Sequence, residues 1–306
     1  MKYASIDKLR IQHGVPTSKL CNLLNVAKSG YQAWCASKKP NSTNKVVPLR
    51  TPRKREEAKL VAAIKAAHLQ GRGVYGAKRI QAEVATHGFK VSLNRIRRLR
   101  RLHGIRCTHK RKYRVTTDSK HHLPVAQNIL DRQFEPAAPN AVWVADITYI
   151  PTDEGWLFLA AIKDLFTCEI VGWAMDKQMT KQLVVDALRA AYWRKKPPKG
   201  LIHHSDRGSQ YCSAAYRALQ DSYGMVTSMS RRGNCWDNAP MESFFGTIKT
   251  ESLHHYRFTS REEAKLVVFE YIEVFYNRIR RHSKINNTAP ATYAAQFHST
   301  VQQMAA

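Results

Sequence analysis

Apolar positions along this chain follow two periods. Between residues 142 and 176 they come in short blocks rich in β-branched and aromatic residues: AVWVADITYIP, GWLFLAAIKDL and IVGWAMD. These predict three consecutive strands, Val142–Ile150, Leu157–Leu165 and Ile170–Asp176, the last two joined by the turn FTCE. Further on, strand-like Leu201–Ser205 and Met225–Ser230 alternate with helical stretches, KQLVVDALRAAYW after Thr180 and the run from Ser213 to Tyr223 that Gly224 stops. Met241, Phe244, Phe245 and Ile248 then recur at i, i+3, i+4 and i+7, the stripe of a helix that faces a core. Pro240 suits its first turn, and either Asp237 or Asn238 can cap it. From Ser260 a long amphipathic helix is predicted, REEAKLVVFEYIEVFYNRIRRH. Three strands followed by alternating helix and strand predict an α/β domain on a mixed five-stranded sheet flanked by helices. A dinucleotide fold is disfavoured, because no Gly-rich turn follows the first strand.

Upstream, the period is helical throughout. Ile6, Leu9 and Ile11 lead in, Thr17 or Ser18 can cap LCNLLNV, and Ser29 falls in the connection to YQAWC. This is compatible with a helix-turn-helix whose second helix carries Lys28, Tyr31, Gln32 and Trp34, or with plain helical packing. EEAKLVAAIKAAHL, AKRIQAEVATHG and LNRIRRLRRLHG make a second helical unit. In its last helix, capped by Ser92, Leu93, Ile96, Leu99 and Leu102 form a seam, surrounded by Arg95, Arg97, Arg98, Arg100 and Arg101. The expected domains are an N-terminal helix-turn-helix-like module (1–36), a basic linker (37–55), a second helix-turn-helix module (56–107), a second basic linker (108–136) and the α/β domain with its C-terminal helix (137–300).

Charge sharpens this division. The 306 residues carry a net +27, but residues 1–125 hold 29 Lys and Arg against 5 Asp and Glu, while residues 126–306 hold 21 against 18. The basic N-terminal part is the expected polyanion-binding region, joined to a near-neutral domain. Six scattered cysteines form no CxxC pair, so neither a disulfide framework nor a zinc site is expected. No export signal, membrane span or internal repeat is predicted, which points to a reducing cytosol and away from a membrane.

The candidate chemistry is acidic. Asp146 interrupts an apolar strand, and Asp206 ends another, followed by the turn RGSQY. Glu242 lies beside the apolar stripe of its helix, with Lys249 seven residues on and nearly on the same side. Fifty-nine residues separate Asp146 from Asp206, and 35 separate Asp206 from Glu242. Three carboxylates meeting at one site repel unless cations sit between them, and hard oxygen donors suit Mg²⁺ or Mn²⁺. Two such ions are the standard apparatus for in-line displacement at phosphorus. Other acidic and polar residues have plainer readings: Asp164 as a sheet-end residue, Asp237 as a cap, His203 and His204 as structural histidines. Trp236 is expected on an exposed loop, where it can stack on an unpaired base or wedge a DNA end, with core packing as the alternative.

VWVADITYI, GWLFLAAIKDLFTCEIVGW, HHSDRGSQY, RRGNCWDNAPMESFFGTIKTE and FYNRIRRHSKINNTAPATYAA closely resemble bacterial insertion-sequence transposases of the IS-three family. The likeness is to the downstream-frame product, a relative of retroviral integrases. It implies a ribonuclease-H-like catalytic domain that cuts element ends and joins the freed 3′-OH to another phosphodiester. Asp146, Asp206 and Glu242 match the family's catalytic and metal-binding acids, serving two Mg²⁺ or Mn²⁺ ions, and Lys249 matches its cation seven residues after the Glu. The expected partner is double-stranded DNA, as terminal repeats and as target. Contacts are expected from Lys249, Trp236, Arg95, Arg97, Arg98, Arg101, Lys28 and Gln32. A homo-oligomer, at least a dimer on DNA, and fusion or partnership with an upstream-frame product are further expectations, although no sustained heptad run precedes the core. The rival readings are a DNA-binding regulator with an inactive catalytic domain, and a metal-dependent nuclease that does not join strands.

Overall fold

A computed structural model describes residues 2–38, 52–108, 124–232 and 234–305. Most of the two stretches read as basic linkers, 39–51 and 109–123, lies outside the described residues. The chain forms two compact units, Met1–Glu56 and Glu57–Ala306.

In the first unit α1 (Lys2–His13), α2 (Thr17–Leu23) and α3 (Lys28–Lys38) close around Ile6, Leu20, Cys21 and Tyr31. Two local expectations fail. Pro16 holds the cap position of α2, so Thr17 lies inside the helix, and Ser29 is already helical. Tyr31 and Trp34 do not project as readers. Tyr31 is buried, its hydroxyl donates to Asp7 Oδ1 at 2.9 Å, and it stacks with Trp34 at 6.1 Å.

Helix α4 (Pro52–Gln70), which begins within the stretch read as linker, runs mostly in the second unit, where α5 (Ala77–Thr86) and α6 (Leu93–Leu102) follow. Ser92 caps α6, accepting from Arg95 N. Ile96 and Leu99 are buried as the periodicity requires, whereas Leu102, 66% exposed, drops out of the seam. Five strands then form one sheet: β1 (Val142–Thr152), β2 (Gly155–Asp164), β3 (Ile170–Asp176), β4 (Ile202–Ser205) and β5 (Val226–Met229). Their order is β3-β2-β1-β4-β5. β1, β2 and β3 pair antiparallel as a meander, while β4 pairs parallel to β1 and β5 parallel to β4.

Alternation along β1 sends Val142 and Val144 to one face and Trp143 and Ala145 to the other. The second face is covered by α7 (Lys181–Lys195) and α8 (Ala214–Ser222). Gly172 on β3 permits this close packing, since a Cβ there would lie 2.5 Å from Ala187 O of α7. Thr180 precedes α7 but makes no side-chain cap bond, while Ser213 caps α8 by accepting from Tyr216 N. The first face is covered by α9 (Ala239–Glu251) and α10 (Arg261–Phe269), and α11 (Pro290–Ala305) closes the chain. The long helix expected after Ser260 is interrupted. Residues Glu270–Tyr276 wind as a π-helix, with Asn277 N bonding to Ile272 O at 3.1 Å.

Periodicity gave no hint that α4–α6 join the same apolar cluster as the first sheet face. Leu60, Ile64, Tyr75, Ile80, Val84, Ile96 and Leu99 are continuous with Val144, Leu159, Phe244 and Phe275. Polar ties reinforce the junction. Tyr75 Oη donates to Ile279 O at 3.2 Å and accepts from Arg281 N at 2.9 Å. Arg281 pairs with buried Glu83, and Arg72 pairs with Glu270 while lying over the Phe275 ring.

Candidate active site

β1 and β4 run parallel, and their last paired residues are Ala145 and Ser205. The next residue after each is an aspartate: Asp146 continues within β1, paired with Ala161 of β2, and Asp206 lies just past the end of β4. Asp146 shares the alternation of Val142 and Val144, the face that α9 covers. Asn238 Nδ2 donates to Ala145 O at 3.1 Å, tying the start of α9 to β1 next to Asp146. Lys163, buried on β2, adds a second tie from Nζ to Pro240 O at 3.5 Å. Glu242 follows in the first turn of α9, whose apolar stripe of Met241, Phe244, Phe245 and Ile248 is buried as predicted.

Asp146 feels the charges of both other carboxylates. Burial and the negative charge of Asp206 push Asp146 well above the usual carboxylate range, and Glu242 pushes the same way. A backbone bond from Ile147 N at 2.7 Å and the Lys249 ammonium oppose that shift. Glu242 is also raised, by burial. Asp206 Oδ1 accepts from Gly208 N at 2.9 Å, and a Cβ on Gly208 would lie 3.1 Å from that oxygen, so a side chain there would crowd the carboxylate. Tyr211, fully buried, has its hydroxyl raised by burial, by Tyr216 and by the charges of Asp146 and Asp206. Lys249 Nζ lies 4.8 Å from the centroid of the Tyr149 ring and interacts with Asp146, while burial lowers its pKa. Tyr149 in turn meets Trp156 edge-on at 4.8 Å.

Among the described residues, no group of three or more His, Cys, Asp or Glu side chains is arranged so that it could hold a metal ion as it stands. The three acids are neighbours in the fold without forming a preformed ligand cage. Their chemistry nevertheless suits a hard divalent cation. All are oxygen donors, and their mutual repulsion is what such a charge would relieve.

The flanking residues resolve as follows. His203 and His204 are buried and neutral, pushed down to about 3 and about 4, burial being the main cause in each. His203 bonds Tyr216 Oη at 3.1 Å, and His204 bonds Ser228 and Ser230. Asp164 is a turn residue at the sheet end, accepting from Asn140 N and Thr167 N, both at 2.7 Å. Asp237 is not the helix cap. It is the centre of a clasp, accepting from Arg231 N, Nε and a terminal nitrogen, from Arg132 Nε and from Asn128 Nδ2. These donors, the Arg231 side chain foremost, hold its carboxyl far below the usual range. Asn238 occupies the cap position of α9 without a side-chain cap bond. Trp236 is exposed, as its loop context implied.

Of the residues expected on DNA, Arg97 and Arg101 are exposed on α6, and Lys28 and Gln32 are exposed on α3. Arg98 pairs with Glu57 at 2.8 Å, and Arg95 approaches the same carboxylate at 4.0 Å. Lys163 and Tyr149 went unnoticed in the sequence, and Asn238 was read only as a possible cap. Only Lys163, a charge inside an apolar strand, carried the kind of signal that singled out Asp146.

A sheet of this order, with one acid within its central strand, one just past the adjoining strand and a third on the covering helix, defines an integrase-type core. Residues 136–235 and 242–297 match the integrase core domain, and residues 54–113 match an HTH-like domain. The insertion element IS600 uncharacterized 31 kDa protein of Shigella sonnei is 52% identical over 287 residues, covering 94% of this chain and 100% of that protein. Transposase InsF for insertion sequence IS3A, from Escherichia coli strain K12, is 38% identical over 293 residues, covering 96% and 98%. The chain belongs to the IS3 family of insertion-sequence transposases. Among solved structures, the simian T-cell lymphotropic virus intasome in complex with PP2A regulatory subunit B56 gamma aligns at 15% identity over 70% of each chain, with a TM-score of 0.45.

Proposed function

We propose that this transposase binds the double-stranded ends of its insertion sequence, cuts them, and joins the freed 3′-OH to a target phosphodiester, using Asp146, Asp206 and Glu242. The observation that carries the reading is the register of β1 and β4, which puts Asp146 and Asp206 at adjoining strand positions, with the Glu242 helix tied to Ala145 O. The repulsion that Asp206 and Glu242 exert on Asp146 supports it, because such a site gains from a divalent cation. Asp146, Asp206 and Glu242 would hold Mg²⁺ or Mn²⁺, two ions per site, supplying charge that stabilises the phosphoryl transition state and activates the attacking oxygen.

The chain's own residues do the rest. Lys249, flanked by Tyr149, holds a phosphate of the element end. Arg97 and Arg101 on α6 bind backbone phosphates, and Arg95 and Arg98 do so at the cost of their shared pairing with Glu57. Lys28 and Gln32 supply a second contact region from α3. In the joining step the 3′ oxygen bonds to target phosphorus as the bond to the target's own 3′ oxygen breaks, so one phosphodiester replaces another. The working form is a homo-oligomer, at least a dimer, assembled on DNA in the cytosol, alone or with an upstream-frame product. Among the described residues no helix is long and apolar enough to cross a membrane.

The test is Mg²⁺-dependent nicking and strand transfer on labelled element ends. Wild type should yield joined products, and Asp206→Ala should bind the same ends without cutting. Nicking that persists in Asp206→Ala removes the assignment. Cut but never joined ends would leave a nuclease, and binding without cutting by wild type would leave a regulator.

A further inference from the structure

We infer that Trp236 is a stacking platform for a nucleobase that comes unpaired beside the scissile phosphate. The inference rests on the transposase reading above and names a substrate state that reading leaves open. Trp236 is 68% exposed, and no ring or cation stacks on it among the described residues. An indole this open usually sits on a loose loop or in an apolar patch. Here it does neither. The residues on both sides are fixed by the Asp237 clasp and by Asn234, whose Oδ1 accepts from Trp236 N at 3.2 Å and from Arg132 at 2.9 Å. Two residues on, Asn238 is bonded to Ala145 O beside Asp146, and Glu242 follows in the next helical turn. The indole is thus held outward on a braced segment that ends at the candidate site.

Its surroundings select the partner. Arg231 and Arg232 precede it along the chain, both exposed, and Arg132 bonds its neighbours Asp237 and Asn234. An exposed ring on a segment rich in arginines fits nucleic acid better than an apolar protein surface. A base within duplex has both faces stacked already, so only an unpaired base offers a free face to the indole. The ring therefore captures a base as the end opens, and fixes the neighbouring phosphodiester against the acids.

The experiment uses the full chain and duplexes carrying the terminal repeat of its own insertion sequence joined to flanking DNA, with 2-aminopurine in the last pair of the element. Two duplexes are compared, one fully paired and one with the end mismatched. Wild type should change the 2-aminopurine signal on binding, Trp236→Phe should retain most of that change, and Trp236→Ala should lose it. On paired ends Trp236→Ala should cut about tenfold or more slowly, the worth of one stacked base, and mismatched ends should restore most of the loss. The inference is overturned if Trp236→Ala gives the wild-type signal, or if it loses the same factor on paired and mismatched ends. The fluorescence arm needs no catalysis, so a wild type that shifts the signal through Trp236 yet never cuts would refute the transposition chemistry and leave the stacking site standing.

Discussion

Glu251→Gln tests whether the helix-turn-helix module and the catalytic sheet are one cooperative body. Glu251 ends α9, and its carboxylate accepts from Arg280 at 2.7 and 2.8 Å, from Tyr271 Oη at 2.8 Å and from Arg79 at 3.3 Å. Arg79 comes from α5 and Arg280 from beyond the π-helix, so one charge joins three parts of the unit. The Arg280 side chain is 5% exposed and that of Glu251 is 7% exposed. Amide replacement leaves the guanidinium buried without its counter-charge, which costs about 3–5 kcal/mol, with the lower end apt because the amide oxygen still accepts. In a unit of this size about 3 kcal/mol corresponds to a fall of roughly 6–12 °C in unfolding temperature. Burial raises the Glu251 carboxyl, but the Arg280 bond and charge, with Arg79 and Tyr271, outweigh it and hold the pKa below its ordinary value. The unfolded chain therefore binds the proton first. The stabilisation is complete above the unfolded value of about 4.3, and is lost as pH falls through the lower folded value. Calorimetry at pH 7 should show the full penalty for Glu251→Gln, and scans toward acid should show the gap from wild type closing. A variant melting within about 2 °C of wild type at pH 7, or a gap that stays constant into acid, would refute the reasoning.

Three further outcomes follow from the same geometry. Lys249→Met should weaken binding to element ends and reduce the slope of log affinity against log salt by about 0.9, measured by anisotropy across a salt series. Arg97→Ala should lower that slope by a similar amount, while Arg98→Ala should change affinity less, because Arg98 already pairs with Glu57. Asp237→Asn should loosen the loop before α9, seen as faster amide exchange at Arg231 and Trp236, since Arg231 and Arg132 then lose their common acceptor.

The sheet was legible because each strand is a short run whose burial follows directly from its apolar residues, and Asp146 stood out because a carboxylate inside such a run is costly. Its neighbour Asp206 was legible from position alone, at the end of an apolar block. What escaped notice rests on pairings distant along the chain. Glu83 with Arg281, Arg72 with Glu270 and Arg79 with Glu251 are ordinary surface charges when read singly, and only the fold makes them a seam. Local chemistry misled in places where two solutions were nearly equal. Asp237 has the residue type of a cap, yet two arginines and Asn128 offer it better donors. Tyr31 occupies a plausible reading position on α3, yet its ring fills the small core against Ile6 and Leu20. The π-helical turn leaves no trace in composition, because Glu270–Tyr276 keeps an amphipathic pattern while adding a residue per turn.

The shared apolar cluster of α4–α6 and the sheet has a consequence for dissection. A fragment ending near Thr108 would carry Leu60, Ile64, Ile80 and Val84 into water with nothing to cover part of that surface, and a fragment beginning near Val142 would bare Phe275, leave Arg281 without Glu83 and take Arg79 away from Glu251. Neither half is a natural module to be lifted out or grafted. Swapping end specificity between relatives would demand exchange of the contacting side chains in place, with the joint between reader and cutter left whole.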